Sequence, residues 1–193
     1  PYVFVSGNHE SPEVLTRLGA IHNVTIVDHS EINLFGLRIA GVGDLVALDP
    51  LPSSAPVGDL TTQAESINSF WLSVEDRPDI FMIHNHRVAK AIEPGLFPIV
   101  LYGHTHVLEL QQVDGTIYNN AGTTGAAGIR GFQNKEPLPY SLSLLYFVRD
   151  DHGRLILQAV DGVHVTGLGQ SFSLQRTFVE PSRNLAEDVE KIR

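Results

Sequence analysis

The chain has 193 residues, 42% of them hydrophobic and 18% charged, a balance that supports a packed core and excludes general disorder. Its net charge is −9 with histidine neutral, which excludes a broad basic surface for nucleic acid but still allows a small anion beside a bound cation. With 0 cysteines and 9 histidines, disulfides, thiolate-held metals and a thiol nucleophile are excluded, and any transition-metal site must draw on His, Asn and carboxylates.

Tyr2 to Val5 predicts a short strand that closes on Ser6-Gly7. Ser11 and Pro12 then read as N-cap and first helical residue, with the helix running over Glu13 to Leu18 and ended by Gly19. Val24 to Val27 predicts a strand, and Ile32 to Phe35 with Leu37 to Val42 a hairpin turning near Gly36. Asp49 to Gly58 reads as a loop, and Thr61 to Val74 as the clearest helix, with Ala64, Ile67, Trp71 and Val74 at helical steps. Asp79 to Ile83 predicts a strand, Arg87 to Ile92 a short helix and Pro98 to Tyr102 another strand. Beyond them the pattern turns to antiparallel β over Val107 to Val113, Thr116 to Asn119, Ser141 to Val148, Leu155 to Val160 and Ser171 to Val179. Asp114-Gly115 and His152-Gly153 supply hairpin turns, and Leu185 to Ile192 predicts a closing helix. No repeat or long linker divides the chain, so one domain over 1–193 is expected.

The polar clusters fall at strand ends: Gly7-Asn8-His9-Glu10, His84-Asn85-His86 and Gly103-His104-Thr105-His106. One strand–helix–strand crossover separates His84 from His104, and such a crossover makes its two strands parallel neighbours. Both motifs then emerge at the carboxyl edge of one sheet, where open α/β sheets bind ligands. Asn8 and His9 join that edge if the first strand is parallel too. His and Asn converging without Cys suit a divalent metal held by imidazole and oxygen. In extended backbone His104 and His106 would point the same way, close enough for one ion or two adjacent ions. The glycines before both motifs allow close backbone approach or positive φ.

In that order, GNH[D/E], a lone His closing a strand and GHxH resemble the calcineurin-like metallophosphoesterases. The resemblance covers roughly Tyr2 to Gly122 and includes Asn120 to Thr123, where the family often has Asn-Pro-Gly-Ser. It implies an α/β fold, a β-sandwich flanked by helices (αββα), and hydrolysis of a phosphomonoester or phosphodiester. It further implies two divalent ions, with Mn, Fe, Zn, Ni and Mg all open. Asn8, His84 and His104 would ligate one ion and His106 the other. His9 would serve the phosphoryl or leaving-group oxygens as proton donor or charge stabiliser, and Glu10 would hold and polarise His9 through a hydrogen bond. The implied chemistry is attack by a metal-bridging hydroxide, with ions about 3.5–4 Å apart.

The family's Asp-x-His and Gly-Asp-x-x-Asp motifs have no match before Gly7. Gly43-Asp44 follows GNHE and lacks the second Asp, so it is no substitute. The domain is therefore expected to lack its first strands and helices, and this segment alone to show weak or no catalysis. His86 stands where the family often has Pro, which leaves His84 and His86 as rival ligands, His84 favoured because it directly ends the strand. His22, His29, His152 and His164 have no partner motif and read as surface or turn residues. Arg130, near the end of the glycine-spaced loop Gly122 to Gly131, is a candidate contact for substrate phosphate. A non-catalytic scaffold of the same fold, the role of a retromer subunit in this family, is the alternative from another class, and a mononuclear metal-binding protein is a third. No apolar run reaches membrane-spanning length, so a soluble segment, cytoplasmic by default, is expected, with an upstream anchor or signal left open. Substrate and oligomeric state are not encoded legibly.

Overall fold

The computed structural model describes residues 1–45, 57–124, 139–166, 169 and 171–180. Arg130, most of the glycine-spaced loop around it and the expected helix Leu185 to Ile192 lie outside the described residues.

β1 (Tyr2–Phe4) runs into the Gly7–Glu10 loop, and α1 (Pro12–Gly19) begins where Ser11 accepts a hydrogen bond from the Val14 N–H. β2 (Val24–Ile26) returns parallel to β1, and the pair forms a two-stranded sheet. β3 (Ser30–Leu34) and β4 (Leu37–Val42) are joined at Phe35 and Gly36, both at positive φ (56° and 97°), the geometry a two-residue hairpin needs. Then come α2 (Val57–Leu72), β5 (Ile80–Ile83), α3 (His86–Ala91) and β6 (Ile99–Tyr102). β7 (Leu108–Val113) and β8 (Thr116–Ala121) form a second hairpin through Asp114-Gly115. β9 (Tyr140–Arg149), β10 (Leu155–Thr166) and β11 (Ser171–Phe178) form a three-stranded antiparallel sheet in the order β11-β10-β9.

The main sheet has six strands in the order β3-β4-β5-β6-β8-β7. β4, β5, β6 and β8 are parallel to their neighbours in that series, while β3 and β7 are antiparallel edges. β5 (IFMI) and β6 (IVLY) are apolar on both faces because both faces are covered. On one face α2 and α3 pack through Ala64, Ile67 and Val88 onto Phe81, Val100 and Phe97. There the Phe81 and Phe97 rings stack at 4.5 Å, with Trp71 edge-on to both. On the other face Ile39, Ile80, Ile99 and Ile117 meet Leu157, Val160, Leu145 and Phe147 of the three-stranded sheet, and Val3 of β1 joins the same cluster. This is the expected α/β sandwich with flanking helices. Among the described residues no helix is long and apolar enough to cross a membrane.

The structure carries β10 past its expected end at Val160 to Thr166. Asp161-Gly162 resembles a turn in sequence, but Asp161 pairs in register with Arg176 on β11. The guanidinium donates to both carboxylate oxygens at 2.7 Å and lies over the Tyr146 ring, which holds the Asp in a strand it would otherwise break.

Candidate metal centre

Parallel pairing sends the residues after β4, β5, β6 and β8 to one edge of the main sheet, and the loop after β1 arrives there from the smaller sheet. The backbone ties these ends together: Asp44 N–H donates to the Ser6 carbonyl at 3.0 Å, and Gly103 N–H to the His84 carbonyl at 3.1 Å. His84 Nε2 consequently sits 3.0 Å from Asn8 Oδ1 and 3.3 Å from His104 Nδ1. Adjacent donors on an ion bound at roughly 2.0–2.1 Å are separated by about 3.0–3.4 Å, so these contacts fit a shared cation. Among the described residues no group of three or more His, Asp or Glu side chains is placed to hold a metal ion; the donors that converge are two imidazoles and an amide.

Gly7 makes room for this arrangement. A Cβ there would lie 2.8 Å from His84 Cε1 and Nδ1 and 2.9 Å from Glu10 Oε2. Gly7→Ala should therefore push the His84 ring aside and weaken metal binding about tenfold, the scale of losing support for a ligand. Calorimetric titration with Mn2+ or Zn2+ measures this, and unchanged affinity would free the ring from that dependence.

Burial pushes the His84 imidazole down to about 4; the buried Asp44 carboxylate opposes the shift, while His104, His106 and His9 deepen it. The ring is thus neutral near pH 7, with a lone pair available to a metal. An unfolded histidine titrates near 6.5 and binds this proton more tightly than the folded one, so this contribution to stability is lost as pH falls from about 6.5 towards 4. In the metal-free protein the loss should reach up to about 3 kcal/mol. Urea melts at pH 7 and 4.5 should show a shallower pH slope for His84→Gln than for wild type; equal slopes would contradict the assignment.

The Gly103–His106 loop is not extended. His104 and His106 both adopt left-handed backbone (φ 72° and 60°), and Thr105 N–H closes a tight turn on the Gly103 carbonyl at 2.9 Å. This corrects the expectation that the two side chains project as in a strand. The fully buried Asn120 holds the turn: its amide donates to the Gly103 carbonyl (3.1 Å) and Thr105 Oγ1 (2.8 Å) and accepts from Gly122 N–H (2.9 Å).

Asn8, His84 and His104 are thus brought together, while His9 and His106 emerge exposed beside them. Glu10 Oε2 accepts from Gly7 N–H at 2.6 Å, so among the described residues its hydrogen bond closes its own turn rather than reaching His9. His86 stacks on His104 instead of meeting Asn8. Asp44, to which the motif order gives no role, is buried close enough to His84 to act on its charge, with a long 3.5 Å contact from the Asn85 amide. The signal for it is its place: Gly43-Asp44 directly follows β4, which is parallel to β5, at the same sheet edge as the histidines.

The α/β sandwich thus gathers two imidazoles, that of His84 kept neutral by burial, and an amide at the carboxyl edge of its main sheet. Residues 1–137 match the calcineurin-like phosphoesterase superfamily domain, and the chain belongs to that superfamily. Members generally bind divalent metals and are typically hydrolytic. No curated protein matches the chain. Among solved structures, a putative 5'-nucleotidase from Staphylococcus aureus in complex with alpha-ketoglutarate is similar at TM-score 0.51 and 12% identity, covering 99% of this chain and 41% of that one. A double mutant of Vps29 from Entamoeba histolytica is similar at TM-score 0.42 and 14% identity, covering 93% of this chain and 83% of that one. Vacuolar Protein Sorting 29 from Cryptosporidium parvum follows at TM-score 0.40 and 17% identity, covering 93% and 82%. The nucleotidase likeness concerns fold alone.

Proposed function

We propose that the protein is a metal-dependent phosphoesterase that cleaves a phosphomonoester or phosphodiester at a two-metal centre. Asn8, His84 and His104 serve one ion and His106 the other. The observation that carries the reading is the meeting of Asn8 Oδ1 and His104 Nδ1 at the neutral His84 Nε2, 3.0 and 3.3 Å away. When bound, the divalent ions supply a water-derived nucleophile at neutral pH and neutralise charge on the phosphoryl oxygens.

The chain's own residues do the rest. His9 stands exposed beside the cluster and gives a proton, or a hydrogen bond, to the leaving oxygen. Glu10 fixes where His9 emerges by closing the turn on Gly7. Asp44 supplies negative charge near His84, favouring cation binding there. Arg130 remains a candidate for substrate phosphate; unchanged kinetics in Arg130→Ala would withdraw it.

The test is metal content and hydrolysis of p-nitrophenyl phosphate and bis(p-nitrophenyl) phosphate by the full-length protein. Two ions per chain with metal-dependent turnover support the reading. One ion without turnover indicates a mononuclear binding protein, and neither indicates a scaffold.

A further inference from the structure

We propose that His86 is a positioning residue for His104: its ring backs the His104 ring and sets the direction in which His104 Nδ1 points. The proposal rests on the reading of His104 as a metal ligand. The two rings lie nearly parallel, 18° apart with centroids 5.3 Å apart, while the His84 ring meets His104 almost perpendicularly, at 85° and 5.2 Å. One neighbour therefore fixes the plane of the His104 ring and the other its in-plane side. That support matters because the terminal torsion of histidine is broad, and because His104 itself sits in left-handed loop backbone (φ 72°) rather than within a helix or strand.

His86, by contrast, stands on firm ground. It is the first residue of α3, which Asn85 caps by accepting from Arg87 N–H at 3.0 Å, and the following Val88 and Ala89 are fully buried. Among the described residues its buried Nδ1 has no hydrogen-bond partner, so what this ring gives the site is its flat face rather than a bond from that atom. The same geometry argues against His86 as a second ligand on the ion of His104. Ring-nitrogen lone pairs lie in the ring plane, and those of two near-parallel rings run side by side instead of converging.

The test is Co2+ titration of the complete polypeptide, following both affinity and the visible absorption band that reports coordination geometry. His86→Ala should weaken Co2+ binding roughly 10–100-fold and shift the band, the scale found when the support of a ligand is removed. His86→Phe keeps a flat ring without nitrogens and should restore both to wild-type values. If the Ala variant melts below the assay temperature, His86→Leu replaces it, filling the space without a flat ring. Wild-type binding by Ala or Leu would overturn the positioning role alone. A Phe variant as weak as Ala would overturn it in favour of a nitrogen-mediated role. A wild type that binds no Co2+ would sink the metal reading itself, and this inference with it.

Discussion

His84→Ala should abolish ordered metal binding and lower phosphoesterase turnover by roughly 10³-fold, the scale for losing one member of a preorganised charge-stabilising site. Its Nε2 is the atom at which Asn8 and His104 meet, so its removal separates two donors on different loops. Its ring also fills the space against Gly7 and, at 3.5 Å from an imagined Cβ, Gly103, and alanine leaves that space to water. The readouts are ion content per chain and hydrolysis of p-nitrophenyl phosphate over a range of metal concentrations. A variant that regains wild-type turnover at high metal would have lost only affinity, and one that is wild-type throughout would remove His84 from the centre.

Gly122→Ala should destabilise the fold by about 3–5 kcal/mol, combining a strained backbone with overpacking. Gly122 has φ +76°, and a Cβ there would overlap Ser141 Oγ and come within 2.9 Å of the Leu108 backbone nitrogen. Neither neighbour is free to yield. Ser141 Oγ accepts from Thr123 N–H at 3.1 Å and Ser141 N–H donates to the Thr123 carbonyl at 2.7 Å, while Leu108 begins β7. Urea unfolding should show a lower midpoint at unchanged slope. Adding Ser141→Ala should recover part of the loss, because it removes the atom most in the way. A cost below about 1 kcal/mol would mean that the β7–β8–β9 junction adapts more readily than its packing implies.

The alternation of strands and helices, the N-cap of α1 and the hairpins at Gly36 and Gly115 were legible because each is written in local chemistry: Pro after Ser, Gly at positive φ, apolar runs of strand length. The placing of His84 and His104 at one edge was legible too, since a βαβ crossover allows few alternatives. What escaped the sequence depends on partners distant in the chain. Asp161 stays in a strand because Arg176 is opposite, and nothing within a turn's length of Asp161 announces it. The left-handed backbone at His104 and His106 is held by Asn120 on another strand, so alternation along the loop was a misleading guide. Asp44 was hidden because a motif is read in order, whereas a sheet edge collects residues without regard to order.

Among the described residues the two-stranded and six-stranded sheets share a core cluster and a loop-to-loop bond from Asp44 N–H to the Ser6 carbonyl but no ladder hydrogen bonds, and Asn8 follows one sheet while His84 and His104 follow the other. A cation gripped from both sides would act as a rivet between the layers, with its binding free energy added to their cohesion. Chelation would then loosen the joint as well as silence the chemistry, and the melting point would track metal concentration.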